Sequence, residues 1–381
     1  MRIALVYDCL FPWTVGGAER WYRSLAERLA REGHEVTYLT LRQWERGDAP
    51  RIEGVRVVAV GPRMGLYAPG GRRRIGPPLA FGAGVLAHLA LRGRRYDVVH
   101  TASFPYFSLL AAAVARPLGG YRLFVDWHEV WTRSYWREYL GPAAGDAGYA
   151  VQRTCARIPQ RAFCFSRLHA RRLLQEGARG EVIRLEGEYA GGARSPTPGP
   201  ADLGVVFAGR HIPEKRVPAL VPAIALARER IPDLRAAIYG DGPERGEVRR
   251  RVREMGLDGV VALPGFVSPE TIDDALGRAL CLVLPSRREG YGLVVVEAAA
   301  RGTPSVVVRG PDNAATELVD EGENGFVAAS AAPADLAAAI ERVHAAGRGL
   351  RDSTAAWFER NASRLSLDGS LAAVSAAYRE A

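Results

Sequence analysis

The order of strands and helices constrains the fold of this chain most strongly, because one alternation occurs twice along it. The first part reads as an apolar strand, a glycine turn, an amphipathic helix and a second strand, in the segments RIALVYD, VGG, AERWYRSLAERLARE and HEVTYLT. A similar alternation resumes after a stretch rich in Gly, Pro and Ser, AGGARSPTPGPADLG. Short apolar strands joined by helices are typical of parallel sheets covered on both faces. The sequence therefore predicts an α/β chain with two Rossmann-like domains facing a cleft.

The break in this alternation gives the expected domain boundaries. We expect an N-terminal domain over residues 1–190, a linker over 191–203 and a C-terminal domain over 204–352. The helical segment 353–381 is expected to pack back on the N-terminal domain. With 381 residues, of which 48% are hydrophobic, the chain is long enough to form two cores. Parallel sheets bind ligands at the carboxyl ends of their strands, so the site residues are sought there.

The formal net charge of +9 is compatible with nucleic acid, an anionic membrane or a phosphorylated substrate. No nucleic-acid-binding motif accompanies the arginines, so we predict that nucleic acid is not a partner. The densest basic cluster, Arg72–Arg74, lies in a Gly/Pro-rich loop. It would suit an anionic lipid surface or an anionic acceptor, and a solvated loop is the third interpretation.

The N-terminal residues and the cysteines predict a cytoplasmic location. The first residues lack the apolar core and cleavage site of a secretory signal, and no apolar stretch reaches the roughly 20 residues of a spanning helix. The four cysteines have neither metal-ligand nor disulfide spacing, which is typical of reduced thiols. We expect a cytoplasmic protein, with peripheral contact at the inner membrane face as an open alternative.

Lys215 is the only lysine among 51 basic residues. It lies in FAGRHIPEKR, where Arg210 follows a predicted strand, so both cations are expected near the carboxyl end of that strand. A compact ammonium on a flexible stem can reach a phosphate from a direction that is closed to a planar guanidinium. The two cations therefore predict a diphosphate ligand, and chance survival of one lysine is the alternative.

A second constellation, LPSRREGYGLVVVEAAARGTP, places Glu289 and Glu297 on either side of the start of a predicted helix. The glycine turn from Gly290 to Gly292 leads into that helix. A helix N-terminus offers free N–H groups and a favourable dipole to an anion. We expect phosphate binding at this turn, with the two carboxylates accepting hydrogen bonds from ribose and sugar hydroxyls. Solvated glutamates at a helix start are the alternative for either residue alone.

These motifs together resemble the retaining nucleotide-sugar glycosyltransferases of the GT-B fold, the group called glycosyltransferase group 1. The resemblance spans most of the chain and rests on the segments GGAER, GR followed by EK, GDGP, EGYGLVVVE and ATELVDEGENGF. It implies an enzyme that moves a sugar from a nucleotide diphosphate-sugar to an acceptor hydroxyl with retention of configuration. UDP is favoured as the nucleotide and GDP comes next. The N-terminal domain would serve the acceptor and the C-terminal domain would bind the nucleotide-sugar.

The resemblance also implies a role for each site residue. The catalytic residues would be His128, Arg210, Lys215 and Glu289. The donor-binding residues would be Gly17, Arg210, Lys215, Gly240, Phe266, Val267, Glu289, Gly290, Tyr291, Gly292, Leu293, Val294 and Glu297. In this assignment Arg210 and Lys215 hold the diphosphate, while Glu297 holds the ribose. Glu289 would contact the sugar, and Phe266 would lie near the base.

In the N-terminal domain, the resemblance places His128 of FVDWHEVW beside the donor sugar. His100 lacks the second histidine that the family often shows two residues later, so we expect it to form only a hydrogen bond at the sheet end. The aromatic segment WHEVWTRSYWREYLG places Trp131 and Tyr135 on one helical face. They are candidate contacts for an unknown acceptor, which could be a sugar, a lipid-linked molecule or a small molecule. Packing on the domain core is the alternative.

Catalysis in this interpretation requires neither a metal nor a cofactor, because the nucleotide-sugar is itself a substrate. Two other functions stay open. One is a nucleotide-sugar epimerase or hydrolase on the same fold, and the other is a nonenzymatic relative that binds nucleotide-sugars. A nicotinamide enzyme is disfavoured, because VGGAER lacks the spaced three-glycine fingerprint.

Overall fold

The computed structural model describes residues 1–45, 47–66, 74–191 and 204–380. The chain divides into two compact units, of which the first comprises Met1–Glu186 with Asp368–Ala381 and the second comprises Gly187–Leu367. Each unit is built on one main parallel sheet, so the prediction of two Rossmann-like domains is confirmed. Most of the predicted linker, residues 192–203, lies outside the described residues, as do Arg72 and Arg73 of the basic loop.

The first unit has a seven-stranded parallel sheet in the order β3-β2-β1-β4-β5-β6-β7. Its strands are β1 Arg2–Val6, β2 Glu35–Leu41, β3 Val55–Gly61, β4 Val98–Ala102, β5 Arg122–Trp127, β6 Arg161–Cys164 and β7 Val182–Arg184. Its helices are α1 Gly17–Arg31, α2 Gly76–Arg92, α3 Phe107–Gly119, α4 Arg133–Leu140, α5 Pro142–Ala156 and α6 Arg167–Gln175. The strand order reverses between β1 and β4, and doubly wound sheets bind ligands at such a point.

The second unit has a six-stranded parallel sheet in the order β10-β9-β8-β11-β13-β15, with a separate two-stranded ladder of β12 and β14. Its strands are β8 Gly204–Ala208, β9 Arg235–Tyr239, β10 Val261–Gly265, β11 Cys281–Leu284, β12 Arg288–Glu289, β13 Ser305–Val308, β14 Asp312–Asn313 and β15 Gly325–Ala328. Its helices are α7 Leu220–Arg228, α8 Arg245–Glu254, α9 Pro269–Arg278, α10 Leu293–Ala299 and α11 Pro333–Leu365. The order again reverses beside the first strand of the unit, between β8 and β11.

Apolar periodicity explains why the predicted elements form. Four of the five side chains of β1 are buried, and the buried face of α1 includes Trp21, Tyr22, Leu25 and Leu29 at spacings of one to four residues. The sequence did not predict β7 and β15, which have three and four residues and lie at the edges of their sheets. The segment VIR of β7 has only two apolar residues, and GFVA of β15 begins with a glycine after a polar run, so neither forms an apolar run as long as those of the predicted strands.

The C-terminal segment divides later than the sequence predicted. The expected boundary at residue 353 falls inside α11, whose side chains Trp357 and Phe358 are buried in the second unit. The final helix, α12 Leu367–Glu380, belongs to the first unit from Asp368 onward. The boundary follows from burial, because residues 353–367 complete the core of the second unit. No helix within the described residues is both long enough and apolar enough to traverse a bilayer.

Candidate active site

In the second unit, the carboxyl ends of three neighbouring strands meet through glycines. The N–H of Gly209, after β8, donates to the carbonyl oxygen of Tyr239 at 3.3 Å, and the N–H of Gly240, after β9, donates to that of Gly265 at 2.8 Å. Gly240 has φ +105°, and a Cβ atom there would overlap the carbonyl oxygen of Gly209. Only glycine fits this conformation without strain. The predicted GDGP turn is therefore pressed directly against the turn that carries Arg210.

Beyond Arg210 the chain forms a short 3-10 helix, Pro213–Lys215, which contacts the segment before α10. The N–H of Arg287 donates to the carbonyl oxygen of Glu214 at 2.8 Å, and the Arg288 guanidinium lies 3.7 Å from the Glu214 carboxylate. These contacts join two motifs about seventy residues apart in the sequence. The structure thus brings together the EK motif and the glutamate–glycine motif that the sequence analysis treated separately.

Lys215 and Glu289 form an ion pair at this junction. The Nζ atom donates to Oε1 of Glu289 at 2.5 Å, and both side chains are largely withdrawn from solvent. An ammonium has three N–H donors, so two remain after this bond. The only lysine of the chain therefore balances a buried carboxylate and still has donors to offer.

The glycine turn before α10 is required by close packing. Gly292 has φ +106°, and a Cβ atom there would lie 2.7 Å from the Cβ of Ala315. Glu289, three residues earlier, is fixed because β12 pairs it with Asn313 of β14. The helix begins at Leu293, at the position that the sequence predicted, and Glu297 lies half-buried in its second turn.

The remaining candidate donor residues of the second unit differ in exposure. Arg210 is exposed, and Phe266 follows β10 with 75% of its surface accessible. Val267 is half-buried and Tyr291 is buried. A largely exposed phenylalanine at a strand end offers an aromatic face on which a ring of a ligand can stack. The neighbouring His211 was missed by sequence reasoning: its ring is buried, burial lowers its pKa, and its Nδ1 has no hydrogen-bond partner among the described residues.

In the first unit, Gly17 is the first residue of α1 and is exposed. A Cβ atom at this position would meet nothing within 4 Å. At the preceding Gly16, a Cβ atom would meet only the carboxylate end of the Glu19 side chain, which can rotate away. The fold of the described chain therefore places no steric demand on position 17, and glycine at this position is left for a ligand to explain.

His128 directly follows β5, as the sequence predicted, and its ring stacks on Phe165 with centroids 4.4 Å apart. Its Nε2 atom is buried and has no hydrogen-bond partner among the described residues. Burial lowers the pKa of His128, and the opposing attraction of Asp126 does not reverse the shift. The imidazole is therefore neutral near pH 7, with an unsatisfied nitrogen, and a buried polar atom of this kind marks a position where a ligand can bind.

Asp126, two residues before His128, is fully buried and was missed by sequence reasoning. One carboxylate oxygen accepts from Nε1 of Trp21 at 2.7 Å, and the other lies 2.8 Å from Nε2 of His100. The attraction of His100 is the largest of the interactions that lower the pKa of this carboxyl, and together they outweigh its burial. The Nδ1 atom of His100 in turn lies 2.5 Å from the hydroxyl of Tyr378 on α12. The signal that could have revealed Asp126 is its position near the carboxyl end of β5, the end at which parallel sheets bind ligands.

The aromatic side chains that follow β5 pack against one another more than the sequence suggested. Trp131 precedes α4, whose N-cap is Thr132, so it does not share a helical face with Tyr135. Tyr135 is buried, and its ring lies edge-on to Trp131 at 4.9 Å. Half-buried Trp131 also contacts Trp136, with centroids 4.7 Å apart. The prediction of one shared helical face is therefore wrong, because the helix begins at Arg133, after Trp131. Trp131 is the more accessible of the two candidates.

Comparison with protein families identifies both halves of this chain. A model described as glycosyl transferases group 1 matches residues 199–357, and one described as a glycosyl transferase 4-like domain matches residues 16–185. This chain belongs to the group 1 glycosyltransferases. The first match contains the Lys215–Glu289 junction, and the second contains Gly17 and His128.

Curated relatives of this group 1 glycosyltransferase match over part of their length. The alpha-D-kanosaminyltransferase of Streptomyces kanamyceticus is 32% identical over 139 residues, which is 36% of each chain. The D-inositol 3-phosphate glycosyltransferase of Nocardioides sp. is 34% identical over 160 residues, which is 38% of this chain and 34% of the relative. The matched region thus spans about a third of the length of these relatives.

Solved structures share the fold over the whole length. Sucrose-phosphate synthase from Thermosynechococcus elongatus superposes with a TM-score of 0.80 at 21% identity, covering 100% of this chain and 98% of that one. The Anabaena protein HepE, solved in complex with UDP and glucose, superposes with a TM-score of 0.75 at 19% identity and covers 100% of both chains. The group 1 glycosyltransferase described here therefore has the GT-B fold.

Proposed function

We propose that this chain transfers a sugar from a nucleotide diphosphate-sugar to an acceptor hydroxyl, with retention of configuration and without a metal ion. The observation that carries the proposal is the junction of Lys215 with Glu289 beside the carboxyl ends of β8, β9 and β10. It unites a cation with unused donors and a fixed carboxylate acceptor. A diphosphate joined to a sugar presents the complementary groups, anionic oxygens beside hydroxyls.

The reaction breaks the bond between the anomeric carbon and the β-phosphate oxygen, and negative charge grows on the departing diphosphate. Arg210 and the two remaining N–H donors of Lys215 would stabilise that charge. The acceptor oxygen forms the new bond to the anomeric carbon, and its proton passes to the departing diphosphate oxygen. Glu289 would accept a hydrogen bond from a sugar hydroxyl, and Glu297 would accept one from the ribose. Neither carboxylate has to act as a covalent nucleophile in this scheme.

The other proposed donor contacts are made by exposed side chains and by polar atoms that lack a hydrogen-bond partner among the described residues. Phe266, with its exposed ring beside Val267, would stack on the base, and the turn at Gly240 would lie beside the nucleotide. The segment from Gly290 to Val294 would contact the sugar and phosphates through its backbone. In the first unit, Gly17 would approach the diphosphate. The Nε2 atom of His128, which no described residue bonds, would bond a sugar hydroxyl. A neutral imidazole suits that role, since it can accept or donate one hydrogen bond.

UDP is the nucleotide that we favour. Two structural neighbours, HepE of Anabaena and the pneumococcal O-GlcNAc transferase GtfA, were solved in complex with UDP. Their identity to this chain is 19% and 14%, so they support the choice of UDP only through the shared fold. The cytoplasmic location remains a prediction from the sequence, and so does the acceptor role of Trp131.

Thermal shift against UDP-, GDP-, ADP- and dTDP-sugars, without added divalent metal, tests the proposal. A donor present at about a hundredfold over its dissociation constant should stabilise the protein by roughly 2.7 kcal/mol. We expect one nucleotide class, UDP-sugars, to produce this shift. Hydrolysis of that donor without acceptor as the sole product would favour a hydrolase, and the absence of any shift would sink the transferase proposal.

Gly17→Ala separates donor binding from folding. Because a Cβ atom at this position meets no described atom within 4 Å, we expect unchanged or slightly raised thermal stability, alanine being the better helix former. A methyl group that collides with a bound diphosphate should nevertheless raise the donor KM by about tenfold, the equivalent of roughly 1.4 kcal/mol. Gly246→Ala is the matched control, because it also adds a methyl group to a helical position with open space around it. An unchanged donor KM in Gly17→Ala would exclude close approach of the diphosphate.

A further inference from the structure

The positive charge of this protein is concentrated in one part of the sequence. Residues 54–125 contain ten arginines and a single acidic residue, Asp97. The difference, +9, equals the formal net charge of the entire chain, so the remaining residues balance to zero. Asp97 itself pairs with Arg2 at 2.7 Å. The segment therefore has almost no negative charge of its own to neutralise its arginines.

Within this segment, α2 exposes an unusual face. From Gly76 to Leu91 the helix has no charged residue, and its buried face includes Phe81, Val85 and Leu89. The exposed positions are also apolar and comprise Leu79, Ala83, Leu86, Ala87, Ala90 and Leu91, with Ile75 just before the helix. Ile75 is 66% accessible and Leu91 is 85% accessible. A helix on the surface of a globular protein normally places charged or polar residues on its outer face.

The neighbouring helix extends this apolar surface. The long contact between α2 and α3 places the two side by side, and α3 exposes Val114, Pro117 and Leu118 near its C-terminal end. Val114 is 67% accessible. The Arg94 guanidinium, on the turn after α2, donates to the carbonyl oxygen of Leu118 at 3.2 Å. Basic and apolar groups therefore meet at one end of the helix pair.

Several arginines converge at this end. Arg92, the last residue of α2, and Arg94 and Arg95, on the turn that follows it, are all exposed. Burial, followed by the charges of Arg92, Arg56 and Arg95, lowers the pKa of the nearby His88 to about 4. The histidine therefore adds no charge at neutral pH, and the positive charge at this end comes from the arginines.

We propose that the exposed face of α2, the exposed end of α3 and Arg92, Arg94 and Arg95 form a surface that docks on an anionic lipid bilayer. The apolar side chains would enter the boundary between headgroups and acyl chains, and the guanidinium groups would bind lipid phosphates. This role is independent of the proposed transferase activity. It concerns only the first unit and requires no nucleotide-sugar.

Charge favours a lipid surface over a second copy of this chain. A symmetric dimer through this face would oppose two surfaces that each carry exposed arginines, with no acidic residue of α2 or α3 to neutralise them. An anionic bilayer supplies the missing negative charge together with an apolar layer. Nucleic acid would match the arginines, but it would leave Leu79, Leu86 and Leu91 without a suitable contact.

Flotation of the full chain with vesicles of phosphatidylcholine alone, or with added phosphatidylglycerol, tests the proposal. We expect binding to the phosphatidylglycerol vesicles, weakened by salt. Arg92→Gln with Arg95→Gln should weaken binding about fivefold for each charge removed. The matched control, Arg249→Gln with Arg253→Gln on α8, removes the same charge from exposed positions in the second unit and should bind like the wild type.

A second variant tests the apolar component. Leu79→Gln, Leu86→Gln and Leu91→Gln together should reduce vesicle binding by about tenfold or more, since each leucine would lose its apolar contact. Leu174→Gln with Leu226→Gln, at exposed positions on α6 and α7, should not. Failure of the wild type to float with phosphatidylglycerol at low salt would overturn the proposal. Equal loss in the control variants would also overturn it, as would a wild-type dimer in sedimentation velocity that the α2 variant dissociates, because the occupant would then be a second copy.

Discussion

Replacing Lys215 by methionine is expected to lower kcat/KM for the donor by about 10²–10³-fold, the range measured when one preorganised donor to a developing negative charge is removed. Methionine keeps the length of the unbranched stem but removes all three N–H donors. Steady-state kinetics with the nucleotide-sugar found by the thermal-shift panel would measure the loss. The effect should exceed that of any other single substitution in the second unit, because Lys215 joins the motif after β8 to Glu289.

The same substitution leaves Glu289 buried without its partner, so a loss of stability must be separated from a loss of binding. The double variant Lys215→Met with Glu289→Gln removes both charges and should recover most of the thermal stability. It should not recover donor binding. Recovery of the donor shift in this double variant would contradict a direct role of Lys215 at the diphosphate. Lys215→Arg is the conservative control, and it should bind donor poorly if a compact ammonium is required.

Replacing Tyr378 by alanine is expected to destabilise the first unit by about 3–5 kcal/mol, the usual effect of truncating a buried aromatic side chain. Tyr378 is fully buried, and its ring lies edge-on to Phe124 of β5 with centroids 4.7 Å apart. Its carbonyl oxygen accepts from Arg122 at 2.6 Å, and its hydroxyl meets His100. Tyr378 therefore attaches the final helix to two strands of the sheet.

Hydrogen exchange resolved by unit is the suitable measurement, because a chain with two units need not unfold in one step. Amides of the β1–β7 sheet should lose protection, and those of the β8–β15 sheet should keep it. Tyr378→Phe retains the ring and should destabilise the first unit by only about 1–3 kcal/mol, since it leaves a buried nitrogen of His100 unpaired. Tyr149→Phe, which removes a half-buried hydroxyl bonded to Glu176, is the matched control. Equal loss of protection in both sheets would contradict the assignment of α12 to the first unit.

The sequence was sufficient for those features that a local pattern encodes. Strands such as β1 and β8 show continuous apolar runs, and α1 shows helical spacing, so their positions could be predicted from side-chain periodicity. The motifs proposed to bind the donor also lie in short segments of the sequence. Arg210 follows a strand, and the glycine turn precedes a helix at the residue where the sequence placed it.

The sequence could not give the partners of those residues. Lys215 pairs with Glu289, which lies 74 residues later in the sequence, and His100 contacts Tyr378, 278 residues later. The segments that connect these residues do not show which side chains will meet after folding. The role of Asp126 was not predicted for the same reason. A carboxylate within an apolar strand makes sense only with its contacts to Trp21 and His100, which belong to other elements.

What the sequence determined by itself was therefore the set of elements, the two-domain fold and the residue types placed at the strand ends, because these depend on the spacing of neighbouring side chains. The tertiary structure alone decided that the lysine neutralises a buried glutamate, that the chain returns to its first unit at Asp368 rather than at residue 353, and that an uncharged face of α2 is left exposed. These outcomes depend on which surfaces remain uncovered after packing. Whether a charge is buried beside a partner or a leucine is left exposed is decided by neighbours that are distant in the chain.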